Sequence, residues 1–268
     1  MSKKSNYFEN AQLLSNQYST FLSNESVEKK ILEVFDGHLP NQFNSDLTIR
    51  ESLNEFLLSY YPNETSIKAT FINNILLKRN NHVSIFELNV GKSRVDLCKI
   101  NGTSIAYEIK TDLDTPKRLG QQMNDYFQAF DEVYLICSSK NLNNLLPHLQ
   151  EECGVYTYYT TKTGRYIFKK HRQAVTSNYI SPLAQLSILT KKDLFSFFNC
   201  PHLETKDAMI NFIISHTTNK EINKIFKLCL KNKFHDNWEF IVKNHADILE
   251  IDYQWFFKNL LPPKIVYL

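Results

Sequence analysis

Residues that break or loosen a fold are scarce in this chain: 6 glycines and 8 prolines among 268 residues. With 43% of residues hydrophobic, that excludes a collagen-like, linker-type or largely disordered protein. The length suffices for one sizeable core, or for one core with a helical appendage. Cysteines number only 5, at positions 98, 137, 153, 200 and 229, and none forms a CxxC pair. An odd, scattered set argues against a disulfide framework, and Cys98 and Cys137 read as buried thiols within apolar strands. The 8 histidines show no HxH or HExxH pattern, and no zinc spacing joins them to cysteine. No uninterrupted apolar run approaches the ~20 residues of a membrane span. The opening MSKKSNYFENAQ lacks the apolar stretch of a signal peptide. The expectation is a soluble, reduced, cytoplasmic protein. Charge of one sign is also lacking, since the net is +3. The balance is uneven, though: residues 151–268 hold 16 basic and 11 acidic residues, and residues 1–150 hold 15 and 17. That asymmetry hints at an anionic partner.

Apolar spacing predicts helices over SVEKKILEVF (26–35), LTIRESLNEFLLSYYP (47–62) and SIKATFINNILL (66–77). Asn63 or Thr65 caps the last of these. Residues 1–25 read as a loosely held polar arm. The period then changes to that of strands: VSIFELNV (83–90), RVDLCKI (94–100) and SIAYEIKT (104–111) form a meander with turns at 91–93 and Asn101-Gly102. A helix follows from Pro116 to about Phe130. Next come a buried strand at 131–139, a short helix, and a hairpin over 154–170 turning at Thr163-Gly164. From about 180 the pattern is helical. The reading is an α/β protein with a mixed central sheet flanked by helices: an arm and helix in 1–46, an α/β domain in 47–179, and a helical module in 180–268.

The chemistry concentrates in 83–130. Asp96 lies on one strand, and Glu108-Ile109-Lys110 on the strand it pairs with. Strand alternation points Glu108 and Lys110 to the same face. Two carboxylates so placed repel unless a divalent cation neutralises them, and oxygen ligands suit Mg²⁺ or Mn²⁺. Such an ion lowers the pKa of a bound water beside a scissile phosphate, and the Lys110 ammonium orients that water or stabilises developing charge. The Ile109 carbonyl is a further ligand candidate. So are Glu64, with Glu55 behind it, and Glu87. The facing of Glu87 depends on the length of the 91–93 turn. On the following helix Gln122 and Tyr126 share a face, with Arg118 a turn earlier. Leu119, Met123, Phe127 and Phe130 form the core stripe.

Asp96, eleven residues, then Glu108-x-Lys110 resembles the D-x(n)-(D/E)-x-K core of the PD-(D/E)XK nuclease superfamily, without its leading proline. Gln122-Met-Asn-Asp-Tyr126 is similar to the QxxxY motif of the RecB-like branch, and YEIKTDLDTPKRLGQQMNDY resembles a group of poorly characterised bacterial proteins in it. The resemblance covers about 64–140. It implies a restriction-endonuclease-like fold and metal-dependent hydrolysis of phosphodiester bonds, of DNA in the first instance. Asp96, Glu108 and Lys110 would be the catalytic set, and Gln122, Tyr126 and Arg118 would be near nucleic acid. The alternative is a catalytically silent module of that fold, binding nucleic acid or a protein. A basic run, KTGRYIFKKHR (162–172), offers Arg165, Lys169, Lys170 and Arg172 to phosphates. Lys220, Lys224, Lys227 and Lys231 stripe one helix and read as a solvated face. The aromatics of the helical module, among them Phe195, Phe198, Trp255, Phe256 and Phe257, are either core or a protein contact.

Overall fold

A computed structural model describes residues 3–161 and 164–267. The chain divides into two compact units, each assembled from separated stretches. They are drawn differently from the sequence spans 1–46, 47–179 and 180–268.

The first unit takes Met1–Lys78, Tyr159–Phe168 and Glu239–Leu268. It holds α1 (Lys3–Gln17), α2 (Asn24–Val34), α3 (Ile49–Tyr60) and α4 (Glu64–Phe71), which continues as a π-helical turn over Ile72–Leu76. The expected loose arm is instead α1: Ala11 and Leu14 pack with Val27, Ile31, Leu53, Phe56 and Leu57 in one apolar cluster. Ser23 and Thr48 cap α2 and α3, the latter in a reciprocal capping box with Glu51. Asn63 caps α4 as the sequence suggests.

The second unit takes Arg79–Tyr158 and Lys169–Trp238. Its sheet runs β1 (Val83–Val90), β2 (Ser93–Asn101), β3 (Thr103–Lys110), α5 (Leu119–Phe127), β4 (Glu132–Ser138), α6 (Leu142–Leu145), β5 (Gly154–Thr160) and β6 (Tyr166–Arg172). The six strands stand in chain order. β1–β2 and β2–β3 are antiparallel, and β3–β4 and β4–β5 are parallel. The sheet is therefore mixed and flanked by helices, as the alternation of periods predicts. The tip of the β5–β6 hairpin belongs to the first unit, and the expected turn residue Thr163 lies outside the described residues. The tail is helical: α7 (Pro182–Ile188), α8 (Lys191–Phe198), α9 (Lys206–His216), α10 (Asn219–Asn244), α11 (Tyr253–Asn259) and α12 (Pro263–Val266). Its aromatics divide between the two readings: Phe198, Phe256 and Phe257 are core, whereas Phe195 is exposed and stacks on His202. All five cysteines are buried free thiols. No helix among the described residues is long and apolar enough to cross a membrane.

Glycine is needed at one turn in particular. Gly91 opens the β1–β2 turn with φ +58°, and a Cβ there would come within 3.1 Å of the Asp125 carboxylate. That carboxylate accepts hydrogen bonds from the Lys92 amide and the Ser93 hydroxyl, at 3.2 and 2.6 Å. The turn is thereby tied to α5, which packs on β2 and β4.

Candidate functional site

The β2–β3 register runs through Leu97 opposite Tyr107. One step further would set Asp96 opposite Glu108. There, instead, the Asp96 carboxylate accepts the Ile109 amide at 2.7 Å, so the strands part at the position of the two acids. Asp96 is 6% exposed and Glu108 1%. On the other side of β2, the β1 register passes from Phe86–Leu97 to Leu88–Val95. Glu87 thus falls opposite Asp96. It leaves extended geometry altogether, with φ +56°, which for a non-glycine residue in a strand is strained. A carboxylate oxygen of each lies within 4.8 Å of the other. Arg94 forms an ion pair with Glu87. The turn length left the facing of Glu87 open; the structure puts it on the Asp96 side.

Glu108 is held from three directions. Lys110 Nζ donates to Oε1 at 2.6 Å and Gln122 Nε2 to the same oxygen at 2.5 Å. The Tyr126 hydroxyl is 2.8 Å from Oε2 and 2.9 Å from the Arg94 carbonyl. Lys110 therefore pairs with the acid two residues before it on the same strand face. It does not pair with Asp112 or Asp114, which are engaged by Ser138 and by Thr111 respectively. Asp114 consequently does not cap the helix at Pro116, and Thr115 at that position makes no side-chain cap bond. Burial, followed by the charge of Glu108, raises the pKa of Tyr126 well above the tyrosine range, so its hydroxyl keeps its proton and remains a donor. Gln122 Oε1 is buried beside the cluster and has no partner among the described residues. It is placed to accept from a water or a ligand.

Tyr126 requires a correction. Expected on the nucleic-acid side of its helix, it is fully buried with Leu119, Met123 and Phe127. It acts on Glu108 and is closed to an outside strand. The available signal was its spacing, three after Met123 and seven after Leu119 on the same apolar stripe. Arg118 is exposed at the start of α5. Arg172 is turned inward, donating to the carbonyls of Cys153 and Gln150 at 2.6 and 3.2 Å, so its guanidinium serves the fold. Lys169 and Lys170 are exposed on β6. Arg165 is exposed in the first unit. Glu64 also lies in the first unit, in the first turn of α4, paired with Lys68 at 2.8 Å, while Glu55 on α3 is exposed. Within the lysine stripe of α10, Lys227 departs from the solvated reading and binds Asp131 at 2.9 Å.

These features define a mixed α/β protein whose sheet carries a buried cluster of carboxylates, lysine, glutamine and tyrosine. The chain belongs to the family described as bacteriophage P4 protein cII, which it matches over residues 59–253. That span includes every member of the cluster, and the family is described from a phage protein and not from a nuclease. Protein cII of Enterobacteria phage P4 is 23% identical over 146 residues, 53% of this chain and 55% of that protein, so the match spans about half the relative's length. Among solved structures, Pyrococcus furiosus SfsA in complex with Ca²⁺ superposes with a TM-score of 0.29 and 13% identity, covering 41% of this chain and 62% of that one.

Proposed function

We propose that this protein hydrolyses phosphodiester bonds of nucleic acid, DNA in the first instance, at the Asp96–Glu108–Lys110 cluster with Mg²⁺ or Mn²⁺. The observation that carries the reading is the convergence of Glu87, Asp96 and Glu108 on one buried stretch of sheet. Glu87 and Asp96 bring carboxylate oxygens within 4.8 Å of each other, and such a pair repels unless a cation or a proton stands between them. Their chemistry fits a hard divalent ion, because the donors are all oxygen. Asp96 and Glu108 would hold it, with Glu87 and the Ile109 carbonyl as further candidates. When bound, the ion would polarise the phosphate and make a water acidic enough to attack at neutral pH.

The chain's own residues do the rest. Gln122 and Tyr126 fix the Glu108 carboxylate with donors that do not titrate near neutrality. Lys110, on the same face, supplies a positive charge for the phosphate as it gains negative charge. Arg94 steadies Glu87, whose left-handed backbone aims its carboxylate across at Asp96. The whole set is preorganised by the sheet, so little reorganisation is left to the reaction.

The test is cleavage of single-stranded, duplex and nicked DNA with Mn²⁺ or Mg²⁺. Metal-dependent cutting by the wild type, lost in Glu108→Gln and in Lys110→Met, supports the reading. An inert wild type on all three substrates overturns it. One observation favours a second reading, a non-cleaving module that binds nucleic acid or a protein: Glu108 already accepts three hydrogen bonds, as a purely structural acid would. On that reading Mn²⁺ leaves the melting temperature unchanged.

A further inference from the structure

The opposite face of the same sheet carries a different set of side chains. Tyr107 neighbours Glu108 on β3 and therefore points away from the carboxylate cluster. Tyr134 pairs with Tyr107 across β3–β4, and their rings stack at 5.7 Å. Tyr156 on β5 continues the row, 5.3 Å from Tyr134. All three are buried. Over this floor stands Lys170, with Nζ 5.9 Å from the Tyr134 ring centre and 5.6 Å from that of Tyr156.

Lys99 shares this face, since it lies opposite Ile105, two residues before Tyr107. Only 9% of it is exposed, and it has no hydrogen bond or ion pair among the described residues. Burial, with the charges of Arg79 and Lys170, holds its ammonium below the usual lysine range. Glu132 is the acid that offsets them. Lys99 and Lys170 thus share one apolar floor, with Arg79 and Glu132 near enough for their charges to act on Lys99. Like charges so arranged cost energy in the free protein and become favourable when an anion arrives.

We infer that Arg79, Lys99 and Lys170 form a phosphate seat on the sheet face opposite the carboxylate cluster, and that it takes a backbone phosphate of a nucleic-acid strand. A phosphate group matches the excess of positive charge better than a single carboxylate does. The Arg79 guanidinium presents the planar fork that phosphate oxygens accept in pairs. The tyrosines are too buried to stack on bases, so they contribute a low-dielectric floor that strengthens the cations, and recognition is independent of sequence. The choice of nucleic acid over other phosphates rests on the proposed function; the seat itself does not.

The experiment is fluorescence anisotropy of a labelled single-stranded DNA oligonucleotide with full-length protein in EDTA, where no cleavage occurs. Exchanging Arg79, Lys99 and Lys170 for glutamine is expected to weaken binding by at least tenfold at low salt. It should also flatten the dependence of log Kd on log salt by about 2, at ~0.7 per phosphate contact. Lys170→Gln alone, at an exposed position, should give a partial loss, and Lys99→Arg should restore most of the affinity, which separates lost charge from lost folding. Lys192→Gln, which removes an exposed lysine outside the seat, should bind as the wild type does. An unchanged affinity and salt slope in the triple variant overturns the seat. Competition by polyglutamate as strong as by unlabelled DNA overturns the assignment to nucleic acid. Displacement by inorganic phosphate at concentrations as low as those of unlabelled DNA phosphate overturns the assignment to a strand.

Discussion

Each unit buries a carboxylate under several hydrogen bonds, and the two are instructive side by side. In the first unit Asp252 accepts from the hydroxyls of Tyr18, Thr20 and Tyr267, at 2.7, 2.8 and 2.8 Å. Arg50 lies against the Tyr267 ring and bonds Asn24 at 2.6 Å. These partners come from both ends of the chain, so the acid works as a pin between distant segments. In the second unit Glu108 is gripped by a lysine, an amide and a tyrosine from adjacent positions on one strand and one helix. A further buried acid, Asp96, lies on the neighbouring strand and accepts the amide of Ile109, the residue after Glu108. A buried acid among hydroxyls stabilises a fold. A buried acid among other acids and an amine is a costly arrangement that chemistry can justify.

The comparison can be broken by mutation. The largest expected effect is on catalysis: Glu108→Gln and Lys110→Met should each lower metal-dependent cleavage by about 10³-fold, with the melting temperature nearly unchanged. If both lose stability instead, Glu108 is a pin like Asp252. Next, Asp252→Ala should cost about 3 kcal/mol in urea unfolding of the full chain, because it strands three buried donors. Mn²⁺ at about 100 times its dissociation constant should stabilise the wild type by ~2.7 kcal/mol and leave Asp96→Asn unmoved. Tyr126→Phe should cost only about 1 kcal/mol, with a partial loss of cleavage, since Gln122 and Lys110 still hold Glu108.

A last and smallest test uses pH. Burial raises the carboxyl pKa of Asp252 from 3.8, its hydrogen bonds only partly offsetting this. The native state therefore keeps that proton to higher pH than the unfolded chain does. Its contribution is full below 3.8 and falls as pH rises through the raised native value. Stability of the wild type relative to Asp252→Asn should decline over that interval, as read from urea midpoints. A difference that rises over that interval would show that hydrogen bonding and not desolvation dominates at the pin.

The sequence carried the second unit's sheet well, because strands of period two separated by Gly91 and by Asn101-Gly102 leave little freedom in a meander. The same alternation placed Glu108 and Lys110 on one face. It could not place Glu87, whose position depends on one residue of turn length and on a backbone conformation that no pattern announces. Tyr126 misled through its hydroxyl: a polar tip on a large apolar ring reads as surface, although here it reaches inward to an acid. The helix α1 was legible in Tyr7, Ala11 and Leu14, one face at helical spacing, but polar neighbours masked it. The pairing of Tyr18 with Asp252 spans 234 positions, beyond the reach of any local periodicity.

The interleaved plan of the two units has a consequence for synthesis. During translation the last segment of the second unit, ending at Trp238, leaves the ribosome before Glu239–Leu268, the stretch that supplies Asp252. The sheet with its acids can therefore mature while α1 and Tyr18, made earlier, still wait for the residues that will fasten them. A ribosome stalled near that boundary would release one sheet-bearing unit and one unit still lacking the segment that supplies Asp252.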